Sequence, residues 1–169
     1  MTKYVGFLRG INVGGSAILL MSELKTLSEK LGLKQVSTYI QSGNVVFESP
    51  LGESVVAKKL QDALKKKLGK DVPVAVRTIL ELSRILEMNP FHHMDPAKVG
   101  VMFFSQSVDK DFLTGVSTST GEEVKPGKRE LYIHYPIGMG KSKLKLPKEA
   151  REGTVRNINT IQKIIELFG

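Results

Sequence analysis

Arg9 closes an apolar run and is followed within six residues by Gly10, Asn12, Gly14 and Gly15, in the stretch FLRGINVGG. A guanidinium beside backbone without Cβ atoms is a chemistry suited to anions, because bidentate donors and close-lying N–H groups converge on one oxyanion. The same glycines supply positive φ to a loop that must cross a sheet edge, so a binding loop and a structural loop both fit. The spacing is not G-x-G-x-x-G, and helical periodicity resumes only at Met21, too late for a dinucleotide cradle. A second polar set, Gln41, Ser42 and Asn44, surrounds Gly43.

Near the C-terminus, GMGKS from Gly138 to Ser142 resembles the end of a phosphate loop. The glycine that pattern requires five residues before Gly140 is Tyr135, and no strong helix follows Lys141. Lys141 and Lys143 are therefore read as cations of a basic loop that touches an anion, with a solvated hairpin extension as the structural alternative. Arg156 and Asn157 precede the closing helix, where the arginine either grips a carboxylate or phosphate or ties that helix to the sheet. The candidate ligand-binding residues are thus Arg9, Asn12, Gly14, Gly15, Gln41, Ser42, Asn44, Lys141, Lys143, Arg156 and Asn157.

Catalytic and metal chemistry find less support. The chain has no cysteine, which excludes disulfides, thiolate catalysis and cysteine-held zinc. His92, His93 and Asp95 sit close together, but adjacent histidines point apart in extended chain and no fourth ligand is evident, so no metal site is expected. Ser42 has no locatable histidine, and no nucleophile–base–acid set emerges. No cofactor is expected, and whether the chain is an enzyme stays open.

The elements that must position these residues follow from periodicity. KYVGFLR reads as a buried strand, and Met21, Leu24, Leu27 and Leu31 recur at helical spacing before Gly32. QVSTYIQSGNVVFES reads as a hairpin with a two-residue turn at Gly43-Asn44. Val56, Leu60, Ala63 and Leu64 mark a second helix with Lys58, Lys59, Lys65, Lys66, Lys67 and Lys70 mostly opposite, and VPVAVRT follows as a strand. This β-α-β-β-α-β order is the ferredoxin-like, split βαβ unit. Its first two strands are parallel, so their C-terminal loops share an edge and bring Arg9 and Asn12 towards Gln41–Asn44. The second half repeats a strand, a short helix and a hairpin less regularly, then closes on NTIQKIIELF with Asn159 as the expected N-cap. The expected fold is α+β, two tandem ferredoxin-like subdomains. The first spans residues 1–88 with a connecting helix, the linker spans 89–97, and the second spans 98–169 with a basic loop and closing helix.

LRGINVGG, MSELKTL and TYIQSGNVVF, in that order, resemble the signature of the uncharacterised bacterial family catalogued as domain of unknown function 1697; GKSKL and GTVRNINT resemble its C-terminal signature. The resemblance runs over nearly the whole chain and implies two ferredoxin-like subdomains and no established activity. Members of that family often carry lysines after the double glycine, where this chain has Ser16, Ala17 and Ile18. Many carry tryptophan where it has Ile158.

The 169 residues are 41% hydrophobic and 25% charged, the composition of a soluble globular protein, with a net charge of +8. Residues 141–156 contribute +4 of it. That balance favours anionic partners, although many small basic proteins have no specific one. No targeting segment or apolar span stands out, so a cytoplasmic location and no membrane partner are expected. The leading reading is a small binding module for a phosphorylated ligand, nucleotide or nucleic acid. The alternatives are a hydrolase or transferase acting on a phosphorylated metabolite, and a structural protein that oligomerises through an open sheet face.

Overall fold

The computed structural model describes residues 1–15 and 17–169, Lys110 by its backbone alone. It is an α+β chain of two four-stranded antiparallel sheets and four α-helices among the described residues. The elements are β1 (Thr2–Leu8), α1 (Met21–Lys30), β2 (Lys34–Tyr39), β3 (Asn44–Ser49), α2 (Glu53–Leu68), β4 (Val74–Thr78), α3 (Ile79–Glu87), β5 (Val99–Phe103), β6 (Glu123–Pro126), β7 (Glu130–His134), β8 (Thr154–Asn157) and α4 (Ile158–Phe168). Two compact units, Met1–Glu81 and Leu82–Leu167, divide inside α3.

The first sheet has the order β2-β3-β1-β4. β3 is antiparallel to both β1 and β2, so those two run parallel and end at one edge. One face is covered by α1 and α2: Leu24, Val56, Leu60 and Leu64 pack with Tyr4, Leu8, Val45, Phe47, Val74 and Val76 in a single core. α2 ends where Gly69 takes the left-handed conformation and its N–H returns to Lys65 O at 2.8 Å, with lysines favourably placed in the last turn.

The second sheet repeats the order as β6-β7-β5-β8. Its core of Met102, Phe104, Leu131, Ile133, Tyr135 and Ala150 is covered by irregular chain, with Phe112, Leu113, Leu144 and Leu146 in the place that long helices take in the first unit. Short 3₁₀ turns at Lys110–Gly115 and Lys148–Glu152 interrupt that cover.

Three local expectations are corrected. Tyr39 pairs with Asn44, so the first hairpin closes through four residues, 40–43, with Ile40 and Gly43 at positive φ, and Asn44 is the first residue of β3. Thr154–Asn157 is a strand that the sequence reading did not assign. The N-cap of α4 is Asn157, whose Oδ1 accepts from Thr160 N at 2.8 Å; Asn159 lies inside the first turn.

Candidate functional site

The chain leaves β1 at Leu8 and enters the glycine loop. Arg9 N–H donates to Pro73 O at 3.0 Å, and burial lowers the pKa of its half-buried guanidinium. Gly10, Asn12, Gly14, Gly15 and Ala17 all have positive φ. A Cβ at Gly10, Gly14 or Gly15 would meet nothing within 4 Å, so backbone conformation, not crowding, asks for glycine there.

Asn12 closes this loop. Its Oδ1 accepts from Leu19 N at 2.8 Å, and its Nδ2 donates to Leu19 O at 2.9 Å and to Gln41 O at 2.8 Å. The last bond crosses from the first loop to the hairpin turn and joins the two polar stretches at the shared edge. Both amide hydrogens are thereby committed. Asn44 is fully buried, and its Nδ2 likewise donates twice, to Tyr39 O at 2.8 Å and Ser42 Oγ at 3.1 Å. Gly43 sits beneath the loop; a Cβ there would lie 2.6 Å from Ile11 Cδ1 and 3.0 Å from Leu8 Cβ. Asn12, Gln41, Ser42 and Asn44 therefore do meet, as a clasp in which the Asn12 and Asn44 amide donors are already engaged. Gln41 and Ser42 lie at its solvent side.

The basic residues of the second unit are arranged otherwise. Gly138 has φ 89°, Met139–Lys141 form a single 3₁₀ turn, and extended chain follows, where a phosphate loop would begin a helix. From Ser142 to Leu146 the side chains alternate. Leu144 and Leu146 pack on the core, while Lys141, Lys143 and Lys145 are exposed and have no acidic partner among the described residues.

The backbone of this ribbon is held from beneath. Lys145 N–H donates to Ser117 O at 3.0 Å and Ser117 N–H to Lys145 O at 2.9 Å. The Glu122 carboxylate, 4% exposed, accepts from the hydroxyls of Thr120 and Ser142, the latter at 2.7 Å. Those hydroxyls accept in turn from Lys143 N at 3.0 Å and Leu144 N at 3.2 Å. Burial alone would raise the pKa of this carboxyl; the Thr120 and Ser142 hydroxyls and the backbone N–H groups outweigh it and hold it at about 2. Burial and the Glu122 charge push the Tyr135 phenol up to about 12.

Arg156 is buried, donates to Val155 O at 2.9 Å, and has its pKa lowered to about 10 by desolvation. Asn157 is occupied as the helix cap. The structure thus brings Asn12 to Gln41, Ser42 and Asn44, sets Lys141 and Lys143 on one ribbon, and seats Arg156 inside the second unit. Glu122 and Thr120 escaped the sequence reading. The only local signal was the T-x-E spacing ahead of β6, and its meaning depends on Ser142, 20 residues away. In the linker, Asp95 Oδ1 accepts from Ala97 N at 3.0 Å, and the rings of His92 and His93 meet edge-on at 5.4 Å. Among the described residues, no three His, Asp or Glu side chains are grouped to hold a metal ion. None of their helices is long and apolar enough to cross a membrane.

Two sheets of matching strand order, an internally bonded glycine loop and an anchored lysine ribbon define a mixed α/β protein. The chain belongs to the family described as Protein of unknown function (DUF1697), whose model matches residues 1–132. It is also similar to the solved structure of the conserved bacterial protein SP0830 from Streptococcus pneumoniae. That likeness has a TM-score of 0.80 at 26% identity and covers 99% of each chain. No curated protein matches. The ribbon lies beyond the residues that the family model matches and within those that align with SP0830.

Proposed function

We propose that the chain is a binding module for a phosphorylated polymer, gripping the backbone of a nucleic acid along the Lys141–Lys145 ribbon. The observation that carries this is the row of exposed lysines without acidic partners, on a segment fixed to Ser117, Thr120 and Glu122. Lys143 and Lys145, two residues apart in extended chain, stand about 7 Å apart along it. A ribbon already held by hydrogen bonds loses little freedom on binding. The side chains between the lysines are Ser142 and the inward-packed Leu144, with no aromatic surface to stack a base. The contacts are therefore to phosphate and carry no sequence information. The following 3₁₀ turn, Lys148–Glu152, exposes Lys148 and Arg151 beside Glu149 and Glu152 and adds no net charge, so the positive row ends at Lys145. The repeated strand order supports reading the scaffold as two tandem ferredoxin-like subdomains, the second with short turns where helices would lie.

Fluorescence anisotropy with a labelled 20-base-pair duplex at low salt tests the reading. Affinity should fall on a log–log plot against salt with a slope of about −2 to −3, as expected for three neutralised phosphates. Joint substitution of Lys141→Glu, Lys143→Glu and Lys145→Glu should weaken binding equally for unrelated sequences. Absence of binding at low salt sinks the proposal.

A further inference from the structure

A second surface lies in the first unit. α1 and α2 cover the same face of the first sheet. Between them runs a groove of about 670 Å³ with Leu27, Leu31 and Ala63 along its floor. Lys30 lines it from α1, and Lys66 and Lys67 line it from α2.

Most cations of these helices are already paired: Lys25 with Glu29, Lys58 with Asp62 at 2.9 Å, Lys65 with Asp71 at 3.2 Å and Lys67 with Glu23 at 2.9 Å. Lys30 and Lys66, both in the groove, have no acidic partner among the described residues. The Glu23–Lys67 pair joins the first turn of α1 to the last turn of α2, so Lys66 lies near that end. Lys30 is seven residues further along α1, about 10 Å away at 1.5 Å per residue. The groove therefore offers one uncompensated cation towards each end and an aliphatic floor between them.

We infer that this groove docks an acidic amphipathic helix of a partner protein. Carboxylates two helical turns apart would meet Lys30 and Lys66, and aliphatic side chains between them would cover Leu27, Leu31 and Ala63. Charge complementarity at the two ends selects the acids, and the apolar floor selects a peptide over a nucleic acid. A phosphate backbone would leave that floor wet, whereas an amphipathic helix would cover it. The site is independent of the lysine ribbon.

Panning a displayed library of random 15-residue peptides against the full chain tests it. Enriched peptides should carry acids seven residues apart with Leu, Ile or Met between them. When bound, a synthetic copy should shift the backbone amide resonances of Leu27, Leu31 and Ala63. The joint substitution of Lys30→Glu and Lys66→Glu should weaken binding of that copy by about tenfold or more, whereas Lys30→Arg with Lys66→Arg should retain it. Unchanged melting temperature and oligonucleotide affinity in the glutamate variant would show that the loss is local. The inference is overturned if no such peptide is enriched, if glutamates at 30 and 66 leave binding intact, or if peptides without the aliphatic residues bind equally well. Oligonucleotide-induced shifts at the same floor amides would reassign the groove to nucleic acid and overturn it too.

Discussion

Asn12 shows how a residue suited to ligand binding is used up by the fold. Its side chain holds Leu19 on both sides and reaches Gln41 across the sheet edge. Asn12→Ala leaves those partners without a side-chain bond and should cost about 1–3 kcal/mol, read as a lower melting temperature in the protein alone. A change visible only with an added anion would instead make the loop a binding site. Gly43→Ala should be at least as damaging, because φ is 92° and the new methyl would run into Ile11. Glu122 makes a prediction about acid. Its pKa is about 2 in the fold against 4.5 for the unperturbed group. Between those values the unfolded chain takes up a proton that the folded chain refuses, so the stabilisation is complete above about pH 4.5 and drains away as pH falls towards 2. The stability gap between the native chain and Glu122→Gln, measured by urea unfolding, should therefore be widest near neutral pH and close on acidification. A gap that ignores pH would mean that the charge is not what holds the ribbon.

Among the elements, the same device appears twice. β4 ends Arg77-Thr78 and α3 starts at Ile79; β8 ends Arg156-Asn157 and α4 starts at Ile158. Val5 lies between Val46 and Arg77 in the first sheet, and Val101 lies between Tyr132 and Arg156 in the second. Each arginine is buried and donates to the carbonyl before it. Each following polar residue caps a helix: Thr78 Oγ1 accepts from Glu81 N at 3.0 Å, as Asn157 Oδ1 does from Thr160 N. Thr78→Ala and Asn157→Ala should each cost about 1 kcal/mol by chemical denaturation. This symmetry was hidden from the sequence reading for a physical reason. β8 buries Thr154 and Arg156, so hydropathy shows no apolar alternation there. Asn44 deceived in the same way, as a buried polar residue that starts a strand where a turn was expected. By contrast, α1, α2 and β1 bury aliphatic side chains at regular spacing and were legible at once. The convergence of Asn12 and Gln41 was legible too, because strand direction alone dictates it. The Glu122 anchor was not, since it joins hydroxyls that no local periodicity relates.

At the scale of the whole molecule, the question for the net charge of +8 is whether its place or its size matters. Reversing Lys34, Lys59 and Lys70 changes the total as much as reversing the three ribbon lysines. If the ribbon is the site, only the latter should abolish oligonucleotide binding; equal losses would make the affinity a property of bulk charge. The strand order has a further consequence, in time. β1 is an interior strand of the first sheet, yet its neighbours are made late: Tyr4 pairs with Phe47 and then with Thr78. On the ribosome β1 must wait, apolar and unpaired on one side, until residue 78 has emerged. The second sheet repeats the delay, with Gly100 waiting for Asn157. The first unit's sheet can close before the second's is made, and each unit exposes a sticky central strand for most of its own synthesis.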